Sequence, residues 1–102
     1  SDLADLKQHV INSRNVVLLL TPGVLMRPWC LIEIVTALKY GVNLVPVEIQ
    51  RPGLNFHYPD EEYYRLVRSG DLFTTSDRKL LTADQILFQD IENAVRFLFM
   101  QI

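Results

Sequence analysis

The stretch that decides the fold is residues 13–48, SRNVVLLLTPGVLMRPWCLIEIVTALKYGVNLVPVE. Val16–Leu20 is an uninterrupted aliphatic run, which is typical of a buried strand in a parallel sheet. Pro28 suits the first position of a helix over residues 29–40, and the glycine that follows suits the position just past its end. Leu44–Ile49 is a second apolar strand. Strand, crossover helix and strand together predict a parallel α/β arrangement.

The rest of the chain contains further helices and one weaker strand signal. Apolar residues at helical spacing predict a helix over residues 2–12. A proline followed by three acidic residues predicts another helix that starts near Pro59 and ends at the next glycine. Asp71–Thr75 is predicted as a short third strand, and Thr82-x-x-Gln85 resembles a capping box that opens a long final helix.

The final helix has more apolar surface than one packing face needs. The residues predicted to form its main apolar face are Leu87, Ile91, Ala94, Val95, Leu98 and Ile102. A second apolar group on roughly the opposite side consists of Ile86, Phe97 and Met100. Two interpretations stay open for this second group: contact with a partner, or cover by another part of the same domain.

Composition and charge limit the classes of function. A chain of 102 residues with 49% hydrophobic and 22% charged residues suits one globular domain. Its formal net charge of −2 and pI near 5.6 argue against nucleic acid as a partner. The apolar runs are far shorter than the roughly 20 residues that span a bilayer, so no membrane insertion is expected. A lone cysteine, Cys30, and a start without a secretory pattern favour a cytoplasmic location.

The predicted sheet is small for an α/β domain. Only two or three strands can be found, and a parallel sheet this apolar leaves hydrophobic surface uncovered on the Val16–Leu20 strand. We therefore expect another part of the protein, or a second chain, to complete the sheet.

The same stretch resembles the middle of a Toll/interleukin-1 receptor (TIR) domain. The matching features are a serine before an apolar strand, Trp29-Cys30-x-x-Glu33 at the start of a helix, and a Val-Pro pair in the next strand. Ile91–Leu98 is similar to the closing helix of the family. The most specific of these features is the Trp-Cys-x-x-Glu motif between two apolar strands.

The resemblance implies an architecture for residues 1–102. They would form a flavodoxin-like TIR domain with a short parallel sheet of about three strands and helices on both faces. Relative to the family pattern, the first two strands and the first helix would be missing.

The resemblance also implies a chemistry. In TIR domains that cleave NAD, the glutamate of the matching motif is catalytic, and this role falls on Glu33. Projected at about 100° per residue, one side of the helix is formed by Trp29, Glu33, Thr36 and Tyr40. Trp29 and Tyr40 are therefore expected to contact the substrate. A carboxylate beside the ribose can stabilise the oxocarbenium character that develops as the bond to nicotinamide breaks. NAD would be a substrate, and neither a bound cofactor nor a metal is expected.

Two functions from different classes remain open. The first is an NAD glycohydrolase that produces nicotinamide and ADP-ribose or its cyclic form. The second is a signalling scaffold that acts by homotypic association, with itself or with other TIR domains, and in which Glu33 has only a structural role. Cys30 is expected to be a small buried hydrophobe rather than a nucleophile, because no basic group is placed to lower its pKa.

Overall fold

The computed structural model of the chain describes residues 2–49 and 51–100. The chain divides into two compact units, Ser1–His57 and Tyr58–Ile102, and each is described by itself below. In chain order the helices and strands are α1 (Asp2–Asn12), β1 (Asn15–Leu20), a 3₁₀ helix (Val24–Met26), α2 (Pro28–Lys39), β2 (Asn43–Glu48), α3 (Glu61–Ser69), α4 (Thr75–Ala83) and α5 (Phe88–Met100). The protein belongs to the α/β class, and the sheet that the described residues form has two strands.

The first unit is built on a parallel pair of strands. β1 and β2 lie side by side, with Val17 paired to Val45 and Leu19 paired to Val47. Parallel neighbours need a crossover between them, and α2 with the 3₁₀ helix supplies it. The strand, helix and strand predicted for residues 13–48 are thus confirmed.

One face of the sheet lies in the core of the first unit. The inward side chains Leu18, Leu20 and Leu44 are buried, and α1 packs on α2, which also contacts β2. The fully buried side chains of α2 are Leu31, Ile32, Ile34 and Ala37. Thr36, predicted to share a polar side with Glu33, is only 3% exposed. Most sides of α2 are therefore buried. The polar side predicted for this helix is interrupted by the buried Thr36.

The opposite face of the sheet is exposed and apolar. Its side chains form two cross-strand rows, Val17 (59% exposed) beside Val45 (37%) and Leu19 (49%) beside Val47 (41%). We call these four residues the open sheet face. The prediction of uncovered apolar surface on β1 is confirmed. In the described part of this unit α1 and α2 leave this face open, so helices on both faces of the sheet stay a prediction.

The third strand predicted at Asp71–Thr75 is wrong. Gly70 adopts a left-handed conformation with φ of 83°, and the Phe73 amide donates to the Gly70 carbonyl in a tight turn. The Thr74 hydroxyl then accepts a hydrogen bond from the Asp77 amide and caps α4. Local side-chain capping favours a helix here over an extended segment, because it satisfies an amide that the first turn leaves without a partner.

The final helix begins later than the capping-box pattern predicts. Thr82 lies in the last turn of α4, and Gln85 has a positive φ of 60° that ends the helical path. α5 then starts at Phe88, where the Asp90 carboxylate accepts a hydrogen bond from the Leu87 amide. The side chain three residues into the helix therefore caps the preceding amide, which is one half of a capping box.

α5 is the longest helix, and its apolar faces are only partly as predicted. The buried residues of the predicted main face are Ile91, Ala94, Val95 and Leu98, whereas Leu87 is 65% exposed and Ile102 lies outside the described residues. Phe97 and Met100 of the second group are exposed. With 13 residues, α5 is short of the roughly 20 needed to cross a bilayer, and none of the described helices could do so.

A charged cluster joins α3 and α5 in the second unit. Glu92 is 5% exposed, and its two carboxylate oxygens accept hydrogen bonds from Arg68 at 2.9 and 3.0 Å and from Arg96 at 3.0 Å. Arg96 also donates to Glu61, and its guanidinium lies 3.9 Å from the Tyr64 ring centroid. The hydrogen bonds from Arg68, followed by those from Arg96, lower the pKa of Glu92 to about 2 against the cost of burial.

We expect Glu92→Gln to destabilise the second unit by about 2 kcal/mol at pH 7, because charge-assisted hydrogen bonds to a buried carboxylate are lost. The folded pKa of Glu92 lies near 2 and its ordinary value is 4.5, so the unfolded state binds more protons between these two values. The stabilisation is complete above pH 4.5 and is lost as the pH falls toward 2. Urea unfolding from pH 7 to pH 2.5 measures it.

The matched control for this prediction is Glu62→Gln. Glu62 pairs with Arg65 one turn away, and both side chains are mostly exposed to solvent, so its removal should change stability little. Equal losses for the two variants at pH 7 would contradict a structural role for the buried cluster.

Candidate functional site

Glu33 is a half-buried carboxylate on the second turn of α2. Burial raises its pKa above the ordinary value of 4.5, because desolvation disfavours the ionised form. Among the described residues, its side chain makes no hydrogen bond and no ion pair that would offset this cost. An unpaired acid in such a place reduces the stability of the fold.

Glu92 shows how the same chain treats a carboxylate that has a structural role. That side chain is more buried than Glu33, yet two arginines satisfy both of its oxygens and lower its pKa. Burial raises the pKa of both carboxyls, but only for Glu92 do hydrogen bonds from arginines outweigh this effect. A carboxylate that is partly desolvated and left without compensation is a candidate for function, because structural needs do not explain it.

Trp29 lies one turn before Glu33 at the start of α2. Four residues correspond to a rise of about 6 Å along the axis and to nearly the same side of the helix. The indole is 41% exposed. Since α2 follows β1 in a parallel crossover, its first turn lies toward the sheet edge at which the strands end. An accessible aromatic surface and an unpaired carboxylate therefore occupy neighbouring positions near this edge.

Tyr40 lies at the other end of the helix. It follows the last residue of α2, is 51% exposed, and its ring centroid is 5.6 Å from the ammonium of Lys39. Eleven residues separate it from Trp29, which corresponds to about 16 Å along the helix axis. The structure thus places Trp29 and Glu33 together and Tyr40 apart from them.

Cys30, predicted to be a small buried hydrophobe, is half-buried. Burial raises the pKa of its thiol, the nearby Glu33 carboxylate raises it further, and Arg27 opposes both effects. The thiol stays protonated at neutral pH and is a poor nucleophile. No group of three or more potential metal ligands occurs among the residues that the structure describes.

Two clefts open at the sheet edge where β1 and β2 end, and the sequence patterns did not single them out. The apolar edge cleft has a volume of ≈ 220 Å³ and is lined by Thr21, Pro22, Ile49, Arg51 and Leu54. The polar edge cleft has a volume of ≈ 420 Å³ and is lined by Glu48, Arg51, Pro52 and Asn55. The sequence could have indicated these clefts only through the predicted ends of the two strands, because ligands of open α/β sheets bind beyond the carboxyl ends of the strands.

Neither of these clefts is lined by Trp29, Glu33 or Tyr40. Comparison of the chain with known protein families, with curated proteins and with solved structures finds no match. The resemblance to TIR domains therefore rests on the residues of the chain themselves.

Proposed function

We propose that the chain is a TIR-type module with a flavodoxin-like wind that cleaves NAD at Glu33. The observation that carries this proposal is the half-buried Glu33 carboxylate, which has no compensating partner among the described residues. Such a group gains a partner when a developing positive charge is placed beside it. The transition state of NAD cleavage provides that charge at the anomeric carbon of the ribose.

The proposed reaction breaks the bond between the ribose carbon C1′ and the nicotinamide nitrogen. The bonding electron pair leaves with nicotinamide, which becomes neutral, and the ribose gains oxocarbenium character that the ionised Glu33 stabilises. A water molecule adds its oxygen to C1′ and releases one proton, which yields ADP-ribose. Attack by the adenine of the same molecule in place of water yields the cyclic form.

Trp29 is the second residue of the proposed site. The nicotinamide ring of NAD is cationic, and an exposed indole attracts a cation placed over its face. Its position one helical turn before Glu33 suits simultaneous contact with the ring and the ribose. We leave Tyr40 outside the proposed site, because about 16 Å of helix separates it from Trp29.

The direct test is release of nicotinamide from NAD, measured by chromatography across a range of protein concentrations. Turnover that is proportional to protein and lost in Glu33→Ala would support the proposal. Absence of nicotinamide release by the folded protein at several hundred micromolar would overturn it and leave the second candidate function.

The second candidate function is homotypic association, and the open sheet face favours it. A parallel sheet is normally covered on both faces, whereas this one exposes two uncharged apolar rows. A second copy of the same face can cover them without burying an unpaired charge. Four partly exposed aliphatic side chains offer far less apolar surface than the about 800 Å² per partner that a stable interface buries, so the expected dimer is weak and depends on concentration.

We expect Leu19→Lys to abolish this association, because it places a charge in the centre of the proposed interface. Sedimentation equilibrium between about 50 μM and 1 mM, a range that suits weak interfaces, measures the average mass. Met26→Lys is the matched control, since Met26 is similarly exposed (55%, against 49% for Leu19) but lies in the 3₁₀ helix. A parent that stays monomeric, or a Leu19→Lys variant that associates like the parent, would exclude the open sheet face as an interface.

A further inference from the structure

The two edge clefts meet at Arg51, and neither has a part in the proposed cleavage of NAD at Glu33. We propose that this edge of the sheet binds a small organic anion, with its phosphate or carboxylate group on the Arg51 guanidinium and its apolar body in the apolar edge cleft. Three features support this site: the position of the clefts, the guanidinium of Arg51, which is unpaired among the described residues, and the size and lining of the smaller cleft.

The position is set by the topology. Thr21 and Pro22 directly follow β1, whereas Ile49 and Arg51 follow β2, so both connections meet at the carboxyl edge of the parallel pair. In open α/β sheets this edge is where loops diverge and leave a crevice for ligands. The two sides of the cleft therefore follow two different strands of the parallel pair.

Arg51 supplies the charge. Its side chain is exposed and makes no ion pair or hydrogen bond with the part of the chain that the structure describes. Arg68 and Arg96, in contrast, are engaged with carboxylates. The Leu54 amide donates to the Arg51 carbonyl at 3.0 Å, and this turn, with Gly53 at φ of 75°, holds both residues at the cleft. A guanidinium presents its donors in a fork that matches the oxygens of carboxylate and phosphate.

The lining and size of the smaller cleft define the rest of the ligand. Pro22, Ile49 and Leu54 offer apolar contacts, and the Thr21 side chain adds one hydroxyl. Pockets for drug-sized ligands have volumes of about 300–1,000 Å³, so a cleft of ≈ 220 Å³ suits a single ring or a short aliphatic chain. An inorganic anion alone would leave the apolar surface uncovered, and a cation would be repelled by Arg51.

The test uses phenyl phosphate and benzoate as probes, each titrated into the labelled protein at constant ionic strength while amide chemical shifts are recorded. We expect shifts that saturate at millimolar concentration for amides of Thr21, Ile49 and Leu54, since a ligand this small makes few contacts. Arg51→Gln should weaken binding of both probes about tenfold through loss of the charge-assisted hydrogen bonds. Comparison of the two probes shows whether the site prefers phosphate or carboxylate.

Three controls separate this site from general attraction of anions. Arg14→Gln removes an equal charge from the opposite edge of the sheet and should leave both affinities unchanged. Leu54→Ala should weaken phenyl phosphate but not inorganic phosphate, and Glu33→Gln should alter neither, so failure of this proposal is distinct from failure of NAD cleavage. Equal weakening by Arg51→Gln and Arg14→Gln, or no shifts at the cleft amides at 10 mM probe, would overturn the proposal.

Discussion

Glu33→Gln is expected to reduce nicotinamide release at least about 100-fold while leaving the fold intact, because it removes the negative charge that the transition state needs. The amide has nearly the same shape as the carboxylate, so packing along α2 is preserved. Stability should stay equal or rise slightly, since a half-buried carboxylate with raised pKa is replaced by a neutral group. Loss of turnover without loss of stability distinguishes a catalytic carboxylate from a structural one.

The pH dependence provides a second measure of the same role. Burial raises the pKa of Glu33 above 4.5, and the reaction requires its ionised form. Turnover should therefore rise with pH along an acid limb whose midpoint lies above 4.5. Because the folded pKa is raised, ionisation of Glu33 costs stability at neutral pH, and this cost disappears as the pH falls below its ordinary value. An acid limb at or below 4.5 would contradict the proposed role.

Glu62→Gln is the control for turnover. It also removes one carboxylate, but Glu62 lies on α3, is exposed and pairs with Arg65. Its turnover should equal that of the parent. If both variants lose activity equally, the loss reflects net charge and not the chemistry at Glu33.

Gly70→Ala is expected to destabilise the second unit by about 3 kcal/mol, more than alanine at any of the other three glycines, where an added Cβ meets no atom within 4 Å. Gly70 ends α3 with φ of 83°, a conformation that costs an L-residue about 1–2 kcal/mol. An added Cβ would also lie 2.5 Å from Cε2 of Phe88, whose ring stacks on Phe73. The ring must move and give up this stacking, and such overpacking costs about 1–3 kcal/mol.

Gly41→Ala separates the two contributions. Gly41 has a similar φ of 68°, but an added Cβ would meet no atom within 4 Å. Only the backbone cost remains, so the expected loss is about 1 kcal/mol. Hydrogen exchange of amides in the unit that contains each glycine measures both values. Equal losses at the two positions would show that Phe88 moves aside without cost.

The sequence predicted those elements whose signals are local. Continuous aliphatic runs and the proline at the start of α2 predicted β1, α2 and β2 to within one residue. The capping pattern near Thr82 predicted too early a start for the final helix, because the left-handed backbone of Gln85 separates α4 from α5. α4 was missed, since its cap at Thr74 lies inside a segment that also has strand character.

The sequence by itself determined the parallel strand–helix–strand core and the presence of a carboxylate next to Trp29, because periodicity and spacing reflect backbone geometry. Only the tertiary structure decided which acid has partners. Glu33 and Glu92 are both helix glutamates, yet Arg68 of α3 and Arg96 of α5 pair with Glu92, whereas no described residue pairs with Glu33. It also decided which apolar side chains of β1 stay exposed. Burial and ion pairing depend on neighbours distant in sequence, and a local pattern contains no information about them.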